Sequence, residues 1–272
     1  MSMTINVLIS CMYQNDTSII AKTNIQTDVV VVNQCDRDEI QEFDFTNRMG
    51  NSCHAKIVNT TQRGLSRSRN MAIENAWGDI CLLCDDDEKL EDDYEKIIKE
   101  AYKHQTDRSV ILFIVERKDL PKGKKYPDNE RKVDFKQILQ SSSVQVTFKR
   151  DIIREKNIQF DILLGSGSGN GGGEDNKFLI DARKANLGIY YVPQIIGAVM
   201  TGKSLWFKGF TKQYMIDRGW TTRRSLGTSR GFVYITLFAL KHRKQYQESL
   251  NFFSAYGYLL QGFFENRIAN KR

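Results

Sequence analysis

The 272-residue sequence has few histidines and prolines, and it lacks a long uninterrupted run of apolar side chains. Its longest apolar stretches, Gly231–Leu240 and Leu250–Phe264, are shorter than the ~18 residues that a membrane-spanning helix needs. The amino terminus also lacks the basic segment followed by an apolar one that marks a secretion signal. We therefore predict a cytoplasmic protein without a transmembrane helix.

Cysteine is scarce, and its placement argues against a disulfide framework. All five cysteines lie in the first third of the chain, mostly within apolar runs, as expected for reduced thiols in a protein core. Cys81 and Cys84 have the spacing of a zinc or redox pair, but no second pair and no nearby His accompanies them. Residues three apart on a strand point to opposite faces, so we predict that both are core residues.

Acidic side chains are rare near the carboxyl terminus. Residues 201–272 contain 13 Lys or Arg against 3 Asp or Glu, and they hold 15 of the 29 aromatic residues. This asymmetry indicates an acidic partner, either membrane headgroups or nucleic acid. The segment predicts basic helices, which either pack their aromatics against the sheet or lie partly on an anionic membrane. The aromatics concerned are Trp206, Phe207, Phe210, Tyr214 and Trp220.

Apolar runs of strand length alternate with helical patterns over most of the chain. This order predicts an α/β fold with a mainly parallel, doubly wound sheet. Gly165–Gly173 has six glycines in nine residues, which predicts a flexible loop that is not packed. Strands are predicted at Thr4–Ser10, Asp28–Asn33, Lys56–Asn59, Ile80–Cys84, Val110–Val115, Val144–Phe148, Ile189–Val192 and Ile195–Met200, the last two split by Pro193. Helices are predicted near Thr17–Asn24, Gly64–Trp77 with Gly78 closing it, Asp92–Gln105 and Glu174–Asn186.

The predicted strand Ile80–Cys84 ends in four acids, Asp85–Glu88. Ligands of open α/β sheets bind at the carboxyl ends of strands. Adjacent carboxylates there favour a divalent cation that also holds a phosphorylated ligand. The alternative is that the acids cap the next helix, a role that we assign to Asp92 and Asp93.

Three arginines, Arg63, Arg67 and Arg69, cluster at a predicted helix start, although cations there oppose the helix dipole. Arg69 falls on the inward stripe of the helix, and a buried arginine needs an anionic partner. That partner is either a diphosphate at the free N–H groups of the helix start or the acids Asp85–Glu88. Arg63 and Arg67 are equally well explained as exposed side chains.

Glu174 and Asp175 follow the glycine-rich loop and open a helix. They could cap that helix, or one of them could be a catalytic base that meets a substrate entering past the loop.

Four stretches in order resemble the family 2 glycosyltransferases of the GT-A fold, over roughly residues 4–200. The first resembles the opening strand and donor loop, and the second a G-x-S-x-A-R-N helix start. The third resembles a D-x-D strand end, and the fourth an F-D…G-E-D segment. In that order, the four stretches are Ile5–Gln14, Gly64–Asn70, Leu83–Glu88 and Phe160–Phe178.

The resemblance implies a fold and roles for individual residues. The fold is the Rossmann-like GT-A domain at 1–203, with a donor half at about 1–115, an acceptor half at about 116–203 and a helical extension at 204–272. Asp175 would be the catalytic base, and Glu174 would orient it or bind acceptor. Asp87 and Asp85 would bind Mn²⁺ or Mg²⁺. The donor contacts would be Asp85, Asp86, Arg69, Asp36, Ser10 and Tyr13.

The sequence departs from the family pattern at two places. Val32–Asp36 replaces the acidic turn that usually follows the second strand, and no His lies near Ile195–Met200.

The implied activity is inverting transfer of a sugar from a UDP-linked donor to a glycan or lipid-linked glycan. The implied setting is bacterial surface-polysaccharide synthesis on the inner face of the cytoplasmic membrane, with no nucleic-acid partner. The alternatives are a metal-dependent nucleotidyltransferase and a basic nucleic-acid-binding module without enzymatic activity. The second alternative leaves the acid cluster unexplained.

Overall fold

The computed structural model describes residues 3–103, 107–118, 125–200 and 209–267, which form a central sheet flanked by helices. The strands are β1 Ile5–Met12, β2 Asp28–Gln34, β3 Glu39–Thr46, β4 Ser52–Thr60, β5 Ile80–Asp85, β6 Glu88–Leu90, β7 Arg108–Arg117, β8 Arg131–Lys132, β9 Val146–Lys149 and β10 Gly188–Val199. The helices are α1 Ser18–Lys22, α2 Leu65–Asn75, α3 Tyr94–Lys103, α4 Phe135–Ile138, α5 Arg150–Glu155, α6 Glu174–Lys184, α7 Lys212–Leu226, α8 Thr228–Lys241, α9 Arg243–Tyr246 and α10 Phe252–Phe264.

The strands follow one another across the sheet in the order β3-β4-β2-β1-β5-β9-β7-β10-β6, and β8 pairs with β10. The run β4-β2-β1-β5 and the pair β7-β10 are parallel, as predicted. The prediction of a mainly parallel sheet does not extend to β3, β6, β8 and β9, which pair antiparallel and make the sheet mixed. The predicted α/β class, with helices flanking the sheet and following it at the carboxyl terminus, is confirmed.

Both faces of the sheet are buried, which explains why its inner strands are continuous apolar runs. Cys81 packs in the core on one face, and Cys84 packs in the core on the other. All five cysteines are buried free thiols, so the core prediction for them is confirmed.

Three local predictions are wrong. β10 runs unbroken past Pro193, because register shifts between Tyr191 and Ile195 accommodate the missing N–H as a bulge. Gly78 does not close α2, which ends at Asn75. Gly78 is instead required because an added Cβ would lie 2.8 Å from the amide nitrogen of Asn6.

The first half of the strand predicted at Val144–Phe148 is a 3₁₀ turn over Ser143–Gln145. Asp92 lies two residues before α3. Its carboxylate accepts a hydrogen bond from the Asn24 side chain at 2.9 Å and so ties the start of α3 to the end of α1.

The four carboxyl-terminal helices, α7 to α10, enclose a hydrophobic core of their own. Phe210 and Tyr214 pack in this core and not against the sheet, while Trp220 is buried beneath Arg224 and Arg267. Trp206 and Phe207 lie outside the described residues. No helix in the described part of the chain is long and apolar enough to cross a membrane.

Helices α7 and α10 pack closely, since a Cβ added to Gly219 would overlap the carbonyl oxygen of Leu259. We expect Gly219→Ala to lower the free energy of unfolding by about 2 kcal/mol, because overpacking forces the helices apart. Urea unfolding followed by circular dichroism measures this change. Gly257→Ala is the matched control, since Gly257 lies in α10 with open space around it. Equal unfolding midpoints for the two variants would contradict the proposed cause.

Candidate active site

The acids Asp85–Glu88 lie in a tight connection between two strands. Asp85 ends β5 beside Ser10 of β1, and Asp86 and Asp87 form the turn into β6. The backbone N–H of Met200 donates to the carbonyl oxygen of Asp87 at 3.0 Å. The turn is therefore fixed at the carboxyl ends of parallel strands, where ligands of open α/β sheets bind.

A buried arginine joins this turn to the acids that follow the glycine-rich loop. Arg69 is 3 % exposed, and its Nη2 donates to Asp85 Oδ1 at 3.1 Å and to Ser143 Oγ at 2.7 Å. Its Nη1 donates to Asp175 Oδ1 at 2.6 Å and lies 3.5 Å from Glu174 Oε1. The backbone N–H of Ser143 donates to the other Asp175 oxygen at 2.9 Å. We call these five residues the Arg69 cluster.

The inward stripe of α2 places Arg69 in this cluster, and the Phe160 ring covers its guanidinium at 5.3 Å. The predicted ion pair from Arg69 to the acid run is confirmed at Asp85. The sequence pattern did not reveal that the same guanidinium also binds Asp175. Residues 106 positions apart are brought together only by the fold.

One of the N–H groups predicted to suit a diphosphate at the start of α2 is already bonded within the protein. The N–H of Leu65 donates to the carbonyl oxygen of Ser166 at 2.8 Å. The Ser66 hydroxyl donates to the carbonyl oxygen of Leu164 at 2.7 Å. The segment around the glycine-rich loop therefore packs against the helix start.

The prediction that Gly165–Gly173 is an unpacked loop is consequently wrong. A Cβ on Gly167 would lie 3.1 Å from Gly64 Cα, and one on Gly173 would lie 2.7 Å from Thr221 Cγ2 of α7. Both glycines also have positive φ angles. Glycine is used here for close approach between α2, the loop and α7.

Negative charge exceeds positive charge around the acid turn. Burial raises the pKa of Asp87, and repulsion from Asp85 and Asp86 raises it further. Burial likewise raises the pKa of Glu88 well above its usual range, and its Oε1 has no hydrogen-bond partner. Arg69 is already shared among three carboxylates, so a further cation would stabilise the ionised turn.

On the other side of Arg69, burial raises the pKa of Glu174 to about 7, and the charge of Asp175 adds to the effect. Burial alone would lower the pKa of Arg69, but the carboxylates of Asp175, Asp85 and Glu174 outweigh it and raise that pKa. The guanidinium therefore stays charged and fixes the carboxylates around it.

No group of three or more His, Cys, Asp or Glu side chains among the described residues forms a ready metal site. One oxygen of Asp85 is bound to Arg69, which leaves its other oxygen and the carboxylate of Asp87. One or two carboxylates fit a Mg²⁺ or Mn²⁺ ion that takes its remaining ligands from phosphate oxygens and water. They do not fit a closed metal centre.

The predicted donor contacts Tyr13 and Asp36 lie together, on either side of Arg63. Arg63 Nη2 donates to Asp36 Oδ1 at 2.7 Å and to the Tyr13 hydroxyl at 3.3 Å. Arg63, which sequence reasoning left undecided, therefore joins these two predicted contacts. Ser10 is buried, and its hydroxyl accepts from the Ser68 hydroxyl at 2.9 Å. Asp86 is partly exposed in its turn.

Comparisons with known proteins bear on the family and on the fold. The sequence model of the family described as "Glycosyl transferase family 2" matches residues 12–162, more than half of the chain. A search of curated proteins finds no match.

Crystal structures of S. aureus TarS have a similar fold. TarS 1–349 is 16 % identical, with a TM-score of 0.59 over 96 % of this chain and 81 % of that one. TarS 1–349 in complex with UDP-GlcNAc is also 16 % identical, with a TM-score of 0.62 over 96 % of this chain and 82 % of that one.

Proposed function

The chain belongs to glycosyl transferase family 2, and on that premise we propose that it moves a sugar from a UDP-linked donor to a hydroxyl of a glycan. It is a glycosyltransferase, so neither of the two alternative functions, a nucleotidyltransferase or a nucleic-acid-binding module, applies. The acceptor that we propose is a glycan or lipid-linked glycan of a bacterial surface polysaccharide. A lipid-linked acceptor would hold the enzyme at the inner face of the cytoplasmic membrane.

The observation that carries this proposal is the Arg69 cluster. One guanidinium contacts Asp85, at the turn proposed to bind the donor, and Asp175, proposed to act on the acceptor. Donor and acceptor groups must meet within reacting distance for one oxygen to displace another at the anomeric carbon. A UDP-GlcNAc complex of the structurally similar TarS supports a nucleotide-sugar as the donor.

In the proposed reaction, Asp175 takes the proton of the acceptor hydroxyl while that oxygen attacks the anomeric carbon. The new carbon–oxygen bond forms as the bond to the diphosphate breaks, and the nucleoside diphosphate leaves with the bonding electrons. Arg69 and the N–H of Ser143 hold one Asp175 oxygen each and so orient the carboxylate. A single displacement of this kind inverts the configuration of the anomeric carbon. Glu174, beside Asp175, would orient it or bind acceptor.

On the donor side, the exposed ring of Tyr13 and the carboxylate of Asp36 would contact the nucleoside, and Asp86 would complete the pocket. Asp87 and Asp85 would hold Mn²⁺ or Mg²⁺. The bound ion would neutralise charge that develops on the leaving diphosphate.

The donor and metal assignments are tested by thermal shift with a panel of nucleoside-diphosphate sugars, each with Mn²⁺ and with EDTA. We expect a UDP-sugar to raise the melting temperature only with Mn²⁺, since a ligand at a hundred times its Kd adds about 2.7 kcal/mol of stability. Asp87→Ala should lose this shift. Asp93→Ala is the matched control, because Asp93 is an exposed acid a few residues away.

An equal shift with and without Mn²⁺ in the unaltered protein would contradict the metal assignment. Release of pyrophosphate in place of nucleoside diphosphate during turnover would contradict the proposed reaction.

A further inference from the structure

The outer side of α8 carries an apolar stripe that nothing in the described chain covers. Val233, Leu237 and Leu240 recur at helical spacing, and their exposed fractions are 57 %, 59 % and 55 %. Arg230 and Lys241 flank this stripe on the same helix. Such a pattern is typical of a helix whose apolar face meets something other than water.

The neighbouring helix α10 contains no charged residue in its 13 positions, yet one side of it is exposed. Phe253 is 86 % exposed and Phe264 is 63 % exposed. These two residues are 11 positions apart, close to three full turns, so both lie on one line along the helix. A charge-free helix with protruding Phe side chains is not suited to a surface that faces only water.

The two helices lie side by side and antiparallel. The Phe232 ring is 6.2 Å from the Phe263 ring, and the Thr236 hydroxyl is 3.0 Å from that of Tyr256. On α8 these contacts lie beside the apolar stripe, and on α10 they lie beside the line through Phe253 and Phe264. Helical geometry therefore turns both lines to the same side of the molecule. We call the combined surface of Val233, Leu237, Leu240, Phe253 and Phe264 the α8–α10 face.

Cations border the α8–α10 face at both ends. Residues 228–264 contain four basic side chains, Arg230, Lys241, Arg243 and Lys244, against a single acid, Glu248. The Arg223 guanidinium of α7 lies 5.9 Å from the Phe264 ring, and that of Arg243 lies 5.9 Å from the Phe252 ring. Two copies of this chain packed through the face would bring these cations together, so charge argues against self-association.

We propose that the α8–α10 face binds the surface of an anionic lipid bilayer. The apolar side chains enter the boundary between headgroups and acyl chains, while the bordering Arg and Lys contact lipid phosphates. The helices lie in the plane of the interface and do not span the bilayer. This binding is independent of the proposed transfer reaction, because it uses residues outside the Arg69 cluster.

Co-flotation of the full chain with vesicles tests the proposal. One set of vesicles is pure phosphatidylcholine, and the other contains equal parts of phosphatidylcholine and phosphatidylglycerol. We expect binding to the anionic set at low salt, and weak binding to the neutral set. The triple variant Val233→Ser, Leu237→Ser, Leu240→Ser should lose binding on the order of tenfold or more.

Two further variants identify the cause of that loss. Ile40→Ser, Met49→Ser is the matched control, because both side chains are exposed but lie on or near β3. It should bind vesicles like the unaltered protein. Replacing Arg230, Lys241 and Lys244 by Gln should weaken anionic binding about fivefold for each cation and leave neutral binding unchanged.

Absence of co-flotation at low salt would overturn the proposal, as would equal flotation of the triple variant and the unaltered protein. Circular dichroism confirms that each variant is folded. Light scattering tests the alternative that a second copy of this chain binds the α8–α10 face. A concentration-dependent dimer that the triple variant abolishes, with no vesicle binding, would assign the face to a second copy.

Discussion

Asp175→Asn should abolish sugar transfer while the donor still binds. An amide cannot accept the proton of the acceptor hydroxyl, and general base catalysis contributes about a thousandfold to the rate. Asparagine has nearly the same shape, and its oxygen can still accept the hydrogen bond from the N–H of Ser143. We therefore expect the loss in kcat, with a donor Kd close to that of the unaltered enzyme. Nucleoside diphosphate release measures the first quantity, and calorimetric titration measures the second.

The neighbouring acid provides the comparison. Glu174 is buried against the glycine-rich loop and lies farther from Arg69 than Asp175 does. Glu174→Gln should reduce transfer much less than Asp175→Asn if Glu174 serves to orient its neighbour. A larger loss of transfer activity in Glu174→Gln, together with near-normal turnover of Asp175→Asn, would identify Glu174 as the catalytic base.

Arg69→Met should have the largest effect on stability. The change leaves Asp85, Glu174 and Asp175 close together without their shared cation. Removing one partner of a buried ion pair costs about 3–5 kcal/mol, and we expect a decrease of that size in the free energy of unfolding. Urea unfolding measures it, and both donor binding and transfer should decline in the folded fraction.

Two further variants serve as comparisons for Arg69→Met. Arg69→Lys should recover part of the stability but little of the transfer, because an ammonium cannot donate along two fixed directions as a guanidinium does. Arg67→Met on the same helix should change the unfolding free energy by no more than about 0.5 kcal/mol, since Arg67 forms no ion pair in the described chain. If Arg69→Met unfolded at the same urea concentration as Arg67→Met, the cluster would not hold the fold together.

Much of the proposed donor side could be predicted from the sequence because its signals are local. The apolar run of β5 followed by acids located the turn, and the inward stripe of α2 assigned Arg69 an anionic partner. The antiparallel edge strand β3 was not predicted. It is largely exposed and polar, so it lacks the apolar pattern that identified its neighbours.

The proposed acceptor side could be predicted only in part, because its contacts join distant segments. Ser143 orients Asp175 from a 3₁₀ turn that resembled the start of a strand. Arg63 contacts Tyr13 and Asp36 across two strand ends, and nothing in its immediate sequence shows this. The glycine-rich loop was taken for an unpacked segment, since composition alone does not show which glycines lie against neighbouring elements.

The contact between that loop and α7 bears on how the chain can be divided. Gly173 lies against Thr221 with no space for a methyl group, and Asp161, just before the loop, forms an ion pair with Arg224 of α7. The helical extension therefore forms one wall of the loop that leads into Asp175. A fragment truncated after β10 would lose this wall. If the helical extension were exchanged between related proteins, the glycine-rich loop would have to be exchanged with it, because the two surfaces fit each other.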